Sequence, residues 1–170
     1  MDITLKPWTV GDADRYIEMM EHVDFTYEDE ELRCTDPEQA IRIIEDMIRN
    51  EDCIGDLYRA VLLDGKVVGH VQTVRQSGVW SCDGHVGCMI VREACHQGVG
   101  TEAVCQMVEM AFTLRNYNRL TAVVYHPNRA SARVVEKNGF TLEVISHCAV
   151  WKGGDICYDA LVYGLLREMP

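Results

Sequence analysis

The chain contains no long apolar run. Nothing in its 170 residues approaches the roughly 18 consecutive apolar residues that a membrane-crossing helix needs, so no such helix is expected. The opening Met1-Asp2-Ile3-Thr4 lacks the basic start and apolar core of an export signal. The default expectation is a soluble, cytoplasmic protein that does not engage a membrane. No two of the eight cysteines form a Cys-x-x-Cys pair. With no export signal they read as reduced thiols, most of them acting as small buried hydrophobes. The spacing Cys82-x-x-His85-x-x-Cys88 hints at a metal, but on a strand His85 points away from the side of both cysteines, so no metal site is expected. No Gly-Lys-Ser/Thr follows any glycine loop, which excludes a P-loop. Linkers, repeats and low-complexity stretches are also lacking, and the length suits one domain spanning 1–170.

Positive charge is scarce. Sixteen Lys and Arg stand against 27 Asp and Glu, a net charge of −11, which argues against nucleic acid as a partner. The imbalance lies in residues 18–56, which hold 14 acidic and 3 basic residues; elsewhere the count is 13 against 13. The run Glu28-Asp29-Glu30-Glu31 is its densest part. Such a run is ordinarily a solvated face, and its functional reading is attraction of a cationic acceptor. The segment 115–137 shows the opposite bias. There Arg115, Arg119, Arg129, Arg133 and Lys137 oppose only Glu136, a local positive field suited to phosphates.

The stretch Ile90–Phe140 is the most informative. It reads as strand, glycine loop, helix, strand and a short asparagine-opened helix. The loop is Cys95-His96-Gln97-Gly98-Val99-Gly100-Thr101. Glycines opening a helix leave backbone N–H groups and a positive dipole end free for an anion such as a pyrophosphate. Gly98 to Ala103 also fits the dinucleotide fingerprint G-x-G-x-x-A. A dinucleotide fold wants an acidic residue about 20 positions on, and none occurs between Glu109 and Glu136.

The remaining pattern places a strand at Asp2–Trp8 and a helix from Thr9 to about Met20, with Asp12 in a weak capping box. An acidic loop covers 22–35. Asp36-Pro37 opens a helix to about Arg49, with Ala40, Ile43, Ile44, Met47 and Ile48 as its apolar stripe. Tyr58–Leu63 and Lys66–Val74 form a hairpin about Asp64-Gly65. A third strand spans Asp83–Val91. The loop helix covers Gly98–Leu114, with Val104, Met107, Val108 and Ala111 inward. Leu120–Tyr125 is a strand, Asn128 caps the short helix, and Gly139 ends it. Phe140–Trp151 and Ile156–Leu166 pair about Gly153-Gly154-Asp155. The class is α+β: one mixed, mostly antiparallel sheet with helices on both faces.

Taken together, Cys95-x-x-Gly98-x-Gly100, the helix start Thr101-Glu102-Ala103, Asn128-x-x-Ser131 and Glu136-Lys137-Asn138-Gly139-Phe140 resemble the GNAT acetyltransferases, and among them the ribosomal-protein N-terminal acetyltransferases. The likeness covers about 83–166 well and the first 60 residues loosely. It implies a GNAT-like domain and acetyl-CoA as co-substrate, held by Cys95, His96, Gln97, Gly98, Val99, Gly100 and Thr101, by Met89 and Ile90 on the central strand, and by Asn128 and Ser131. Two departures stand out. Cys95 replaces the usual Gln or Arg, and Val135 takes the place, seven residues after the asparagine, where many members carry a tyrosine as general acid.

Acyl transfer from a thioester to an amine needs a polarised carbonyl, a neutral amine and a protonated leaving thiol. Strand amides around Met89–Ile90 suit the first need. His85, on the central strand, is the leading base, with an unperturbed pKa of about 6.5; His126 is the second candidate. Ser131 follows from the resemblance as the acid. Each has a simpler reading: a packed strand histidine, a surface histidine, a first-turn hydroxyl. Cys95 lies near a helix N-terminus, where a thiol's pKa can fall, though a spectator thiol is the plainer expectation. The activity read here is N-acetylation of a primary amine by direct attack, the acceptor being a peptide N-terminus, a polyamine or a small amine. The rival is a non-catalytic acyl-CoA sensor. A monomer or a homodimer fits equally.

Overall fold

A computed structural model describes residues 1–27, 33–78, 82–151 and 156–167. The chain runs β1 (Ile3–Pro7), α1 (Ala13–His22), α2 (Pro37–Cys53), β2 (Leu57–Leu63), β3 (Lys66–Arg75), β4 (Asp83–Ile90), α3 (Val99–Leu114), β5 (Arg119–Tyr125), α4 (Arg129–Lys137), β6 (Thr141–Trp151) and β7 (Cys157–Leu166). The seven strands form one sheet in the order β1-β2-β3-β4-β5-β7-β6. Every described neighbour pair is antiparallel except β4–β5, which is parallel and joined through α3.

Local chemistry explains most boundaries. Asp36 accepts the Gln39 N–H at 3.0 Å, and Pro37 occupies the first helical position, where a missing N–H costs nothing. Asp64 and Gly65 both take positive φ, +49° and +82°, as a two-residue hairpin turn requires. Thr9 opens a short 3₁₀ turn, Val10–Asp12, ahead of α1. Asp12 takes both the Thr9 N–H at 3.1 Å and the Thr9 hydroxyl at 2.6 Å, and ion pairs with Lys6 and Arg15. Those partners hold its carboxyl at about 2 against the cost of its burial.

Two parts of the sequence reading need correction. The helix opened by Asp36 continues to Cys53, because Glu51 in its last turn pairs with Arg59 of β2 and Arg115 beyond α3. Ile48, placed inward by periodicity, is exposed; Ala40 and Ile44 carry the buried face. The cysteines are not all thiols. Cys148 and Cys157 are joined as a disulfide, since a bulge in β6 between Ser146 and Val150 sets their Cα atoms 5.2 Å apart across the β6–β7 hairpin. The Gly153-Gly154-Asp155 turn and the Glu28–Glu31 run lie outside the described residues.

The core is continuous across the sheet. Val99, Ala103, Val104, Met107 and Ala111 of α3 are buried, and burying each larger side chain contributes roughly 1.5–3 kcal/mol. A β-carbon on Gly100 would stand 3.5 Å from Ile90 Cγ1, so Ile90 faces α3. Strand alternation then puts His85, Gly87 and Met89 on the opposite face, beside their β3 partners Val74, Gln72 and His70. Trp8, just before α1, bonds to His70 there.

Candidate active site

The centre of the sheet does not close. β4 pairs with β3 over Gly84–Ile90, but with β5 only at Asp83↔Arg119, Gly84↔Leu120 and His85↔Thr121. Beyond His85 the strands part, and β5 continues with β7 through Tyr125↔Ala160. Gln76 N–H donates to Asp83 O and Val91 N–H to Val68 O, each at 2.9 Å. Odd-numbered residues of β4 thus direct their backbone groups to β3, and the alternation directs the Ile90 N–H into the gap. Of the two residues proposed to polarise a carbonyl, Ile90 has its amide directed away from β3 and Met89 has its amide toward it, and Val23 bridges Val91 just beyond.

At the mouth of the gap lies the loop. Val91 bonds back to Val68, a 3₁₀ turn follows at Arg92–Ala94, and His96 and Gly98 both take positive φ, +61° and +85°. Gly98 is the N-cap of α3 and supplies no side chain to cap it. A β-carbon there would meet nothing within 4 Å. The first N–H groups of α3 therefore face open space in front of a glycine, which fits a bulky anion. Val99 is itself buried, so its amide is what it can offer. The Gln97 side chain turns back to donate to Glu93 O at 2.7 Å. His96 is exposed.

Cys95 departs from the reactive-thiol reading. Its Sγ sits 3.4 Å from Val91 O, and burial together with Asp24 and Glu93 pushes the thiol pKa up. It acts as a packed spectator that helps close the turn.

Opposite the loop, Asn128 caps α4 by accepting the Ser131 N–H at 3.1 Å. Ser131 is half-buried in the first turn. Val135, standing where a family tyrosine is common, is buried in the core. Asn138 holds a role its motif did not reveal. Its Nδ2 donates to Thr101 O at 3.1 Å and Val134 O at 2.9 Å, tying the end of α4 to the first turn of α3. The only sequence signal for this was an asparagine just before the terminal Gly139.

His85 lies on the other face of β4, half-buried, and burial lowers its pKa below the usual histidine range. A neutral imidazole at pH 7 follows. His126, at the end of β5, is exposed, with its backbone N–H on Asp159 O at 2.9 Å.

The positive field read from 115–137 divides in two. Arg119 forks onto Glu143, and Arg115 pairs with Glu51. Both lie at the end of the sheet away from the loop, since the 16-residue α3 carries the chain about 24 Å from its glycine start. They cannot hold phosphates at the loop. Arg129, Arg133 and Lys137 on α4 are exposed. Several acids of 18–56 also have internal duties. Asp36 caps α2, Glu51 binds Arg59, and Asp56 takes the Tyr58 hydroxyl at 2.8 Å and the Arg75 N–H at 2.8 Å. A cavity of about 380 Å³ against Lys6, Arg15, Glu18 and Lys66 shares no residue with the loop or with His85. Among the described residues no helix is long and apolar enough to cross a membrane, and no cluster of three metal-ligating side chains occurs.

The fold and the family are shared with known proteins. The model of the acetyltransferase (GNAT) domain matches residues 2–141. The N-acetyltransferase YoaA of Bacillus subtilis (strain 168) is 29% identical over 82 residues, a match taking in 48% of this chain and just 46% of that protein. Among solved structures, a probable acetyltransferase superposes with a TM-score of 0.85 at 22% identity, covering 97% of this chain and 93% of its own. The ribosomal-protein-S5-alanine acetyltransferase of Vibrio fischeri gives 0.81 at 19% identity, covering 98% and 93%. The microcin C7 self-immunity acetyltransferase MccE, solved with acetyl-CoA and AMP, gives 0.82 at 16% identity, covering 98% and 93%. These structural likenesses concern the fold.

Proposed function

The chain belongs to the GNAT acetyltransferase family, and from that premise we propose that it transfers an acetyl group from acetyl-CoA to a primary amine by direct attack. The observation that carries the reading is the three-pair β4–β5 ladder. It leaves a gap in the middle of the sheet, with the Ile90 amide on one wall and the uncapped start of α3 at its mouth.

In this reading acetyl-CoA supplies an activated thioester, and the residues of the chain receive it. The amides of Val99, Gly100 and Thr101 take the pyrophosphate oxygens, with Gly98 giving close access. Cys95, His96 and Gln97 shape the turn before them. The Ile90 N–H donates to the carbonyl oxygen in this reading, and fixed donors of this kind favour the charge that develops there. Met89 lines the opposite face. Asn128 keeps its Nδ2 available for amide groups of the arm while its Oδ1 caps α4. His85 takes the proton of the incoming ammonium, directly or through a water, and its lowered pKa keeps it unprotonated at neutral pH. Ser131 returns a proton to the departing sulfur in this reading. Cys95 is no acyl carrier, because its thiol is turned to the backbone of the loop.

The acceptor is a cationic amine in this reading. The support is the concentration of acidic residues in 18–56, several of which remain exposed on α1 and α2. The deciding experiment is a thiol-release screen over peptide N-termini, polyamines and small amines, with mass analysis of the product. Release of CoA with formation of an acetylated amine is the expected result. Tight acetyl-CoA binding with no release for any amine class would make the chain a sensor instead.

A further inference from the structure

The face of the sheet that carries His85 also carries a chain of side-chain hydrogen bonds that the acetyl-transfer reading does not use. It begins at Trp8. The indole N–H donates to His70 Nδ1 at 2.9 Å. His70 is fully buried, and burial lowers its pKa to about 4, so its ring is neutral. A neutral imidazole with Nδ1 accepting must carry its proton on Nε2. That nitrogen lies 3.0 Å from Gln72 Oε1, so it donates and the amide oxygen accepts. The direction of the Gln72 amide is thereby fixed: its oxygen is engaged, and its NH₂ group points onward.

It points across β4. Gln72 is paired in register with Gly87, between His85 and Met89 on the same face. A β-carbon built on Gly87 would stand 3.4 Å from Gln72 Nε2, so the absence of a side chain there is what lets the amide lie over the strand. Gln72 is half-buried, and among the described residues the side-chain hydrogen bond it makes is the one from His70 to its Oε1. The result is a group that can only donate, held by a buried histidine, two register positions from the proposed base.

We propose that the Gln72 NH₂ group recognises a carbonyl oxygen of the acceptor, so that the preferred acceptors are α-amino carbonyl compounds, such as peptide N-termini, over polyamines. The reason is chemical matching. A peptide N-terminus has a carbonyl two bonds from its amine and can take the donated hydrogen bond. A polyamine in its charged form has only donors, and would meet the amide donor-to-donor. Trp8 and His70 act through Gln72 as positioning residues and touch no substrate. This assignment rests on the reading of the β4–β5 gap as the acetyl-transfer site.

The test compares the wild type with Gln72→Glu, which keeps the shape and still accepts from His70 but presents an acceptor where a donor stood, and with Gln72→Ala. The probes are Ala-Ala-Arg amide and spermidine. Initial rates give kcat and KM for each, and calorimetry on the CoA-loaded protein gives affinity without turnover. The expected result is a fall of about tenfold or more in the peptide-to-spermidine ratio of kcat/KM, carried by the peptide's KM, as for loss of one specific hydrogen bond. Acetyl-CoA affinity and the melting temperature, measured in parallel, report whether the cofactor site and the fold are intact. The proposal is overturned if the ratio is unchanged in Gln72→Glu, if the wild type prefers spermidine, or if the CoA-loaded wild type binds no peptide. A protein that binds the peptide in a Gln72-dependent way yet releases no CoA would sink the acetyl-transfer reading and leave the Gln72 assignment standing.

Discussion

α4 and α3 start on either side of the same gap, and they start differently. At α4 a side chain closes the end: Asn128 Oδ1 takes the Ser131 N–H. Asp36 does the same for Gln39 at α2. At α3 the N-cap is Gly98 in the left-handed region, with no side chain and with open space before it. A helix with glycine in place of a capping Ser, Asn or Asp loses roughly a few tenths of a kcal/mol. The fold accepts that loss at the one of these three starts that faces the mouth of the gap. Among these three, only the α3 start leaves its first N–H groups without a side-chain cap.

The largest effect should come from separating chemistry from binding. If the open start of α3 only binds and His85 is the base, His85→Ala should lower turnover by roughly 10²–10⁴-fold while leaving acetyl-CoA affinity as it was. The pH profile sharpens this. A base must be unprotonated, and burial lowers the His85 pKa, so the acid limb of the wild-type rate should lie below the usual histidine range and vanish in the variant. Near-normal turnover across pH in His85→Ala would move the role to His126 or to solvent.

The open start itself can be broken with a charge. Gly100→Asp puts a carboxylate where phosphates are expected, in a position already 3.5 Å from Ile90 and 3.7 Å from Val134. Acetyl-CoA affinity should fall by about 30-fold or more, on the scale of a favourable helix-terminus interaction reversed. Unchanged affinity by calorimetry would mean that this terminus is not the phosphate site.

The other face of the sheet is closed by His70, and its closure depends on pH. Burial lowers the His70 pKa from 6.5 to about 4. Between those values the unfolded chain binds the proton and the folded one does not, so stability falls as pH drops through that window. His70 alone should remove about 2 kcal/mol between pH 7 and pH 5. Urea unfolding at the two pH values should show this, and His70→Asn should lose it. The Asp12 carboxyl, held near 2, acts only at lower pH. An equal pH dependence in the variant would contradict a buried neutral His70.

The smallest effects test the caps directly, and they run in opposite senses. Asn128→Ala removes a side chain from a closed end and should cost about 1 kcal/mol. Gly98→Ala adds a side chain to an open end at a φ of +85° and should cost about 1–2 kcal/mol through backbone strain, with no steric contact to blame. Thermal or urea melts of the pair would check both. A neutral Gly98→Ala would mean that the left-handed turn is not needed.

The same contrast explains what could be read from the sequence. Asp36-Pro37, Asp64-Gly65, Asn128 and Gly139 marked their boundaries correctly because each acts on its own neighbours within three or four residues. The open loop at Gly98 and Gly100 was legible for the same reason. What could not be read depends on partners far along the chain. Glu51 extends α2 through Arg59 and Arg115, and Arg119 is taken by Glu143. Nothing near those residues announces it, so a run of basic residues looked like one field. Cys148 and Cys157 meet only because of a bulge, and Gln72 gains its direction from Trp8, 64 positions away, through His70. Local chemistry shows in a sequence; register and cross-sheet pairing do not.

The gap between β4 and β5 has a further consequence for how the molecule keeps to itself. An unpaired strand edge invites strands from other chains, and proteins usually blunt or cover such edges at the rim of a sheet. Here the edge is inside the sheet, between two strands already fastened together at Asp83–His85 and Arg119–Thr121. A foreign polypeptide strand would have to force that ladder apart to pair along it. Placing that edge at the centre keeps the unpaired backbone groups of β4 away from the rim of the sheet, which β1 and β6 form.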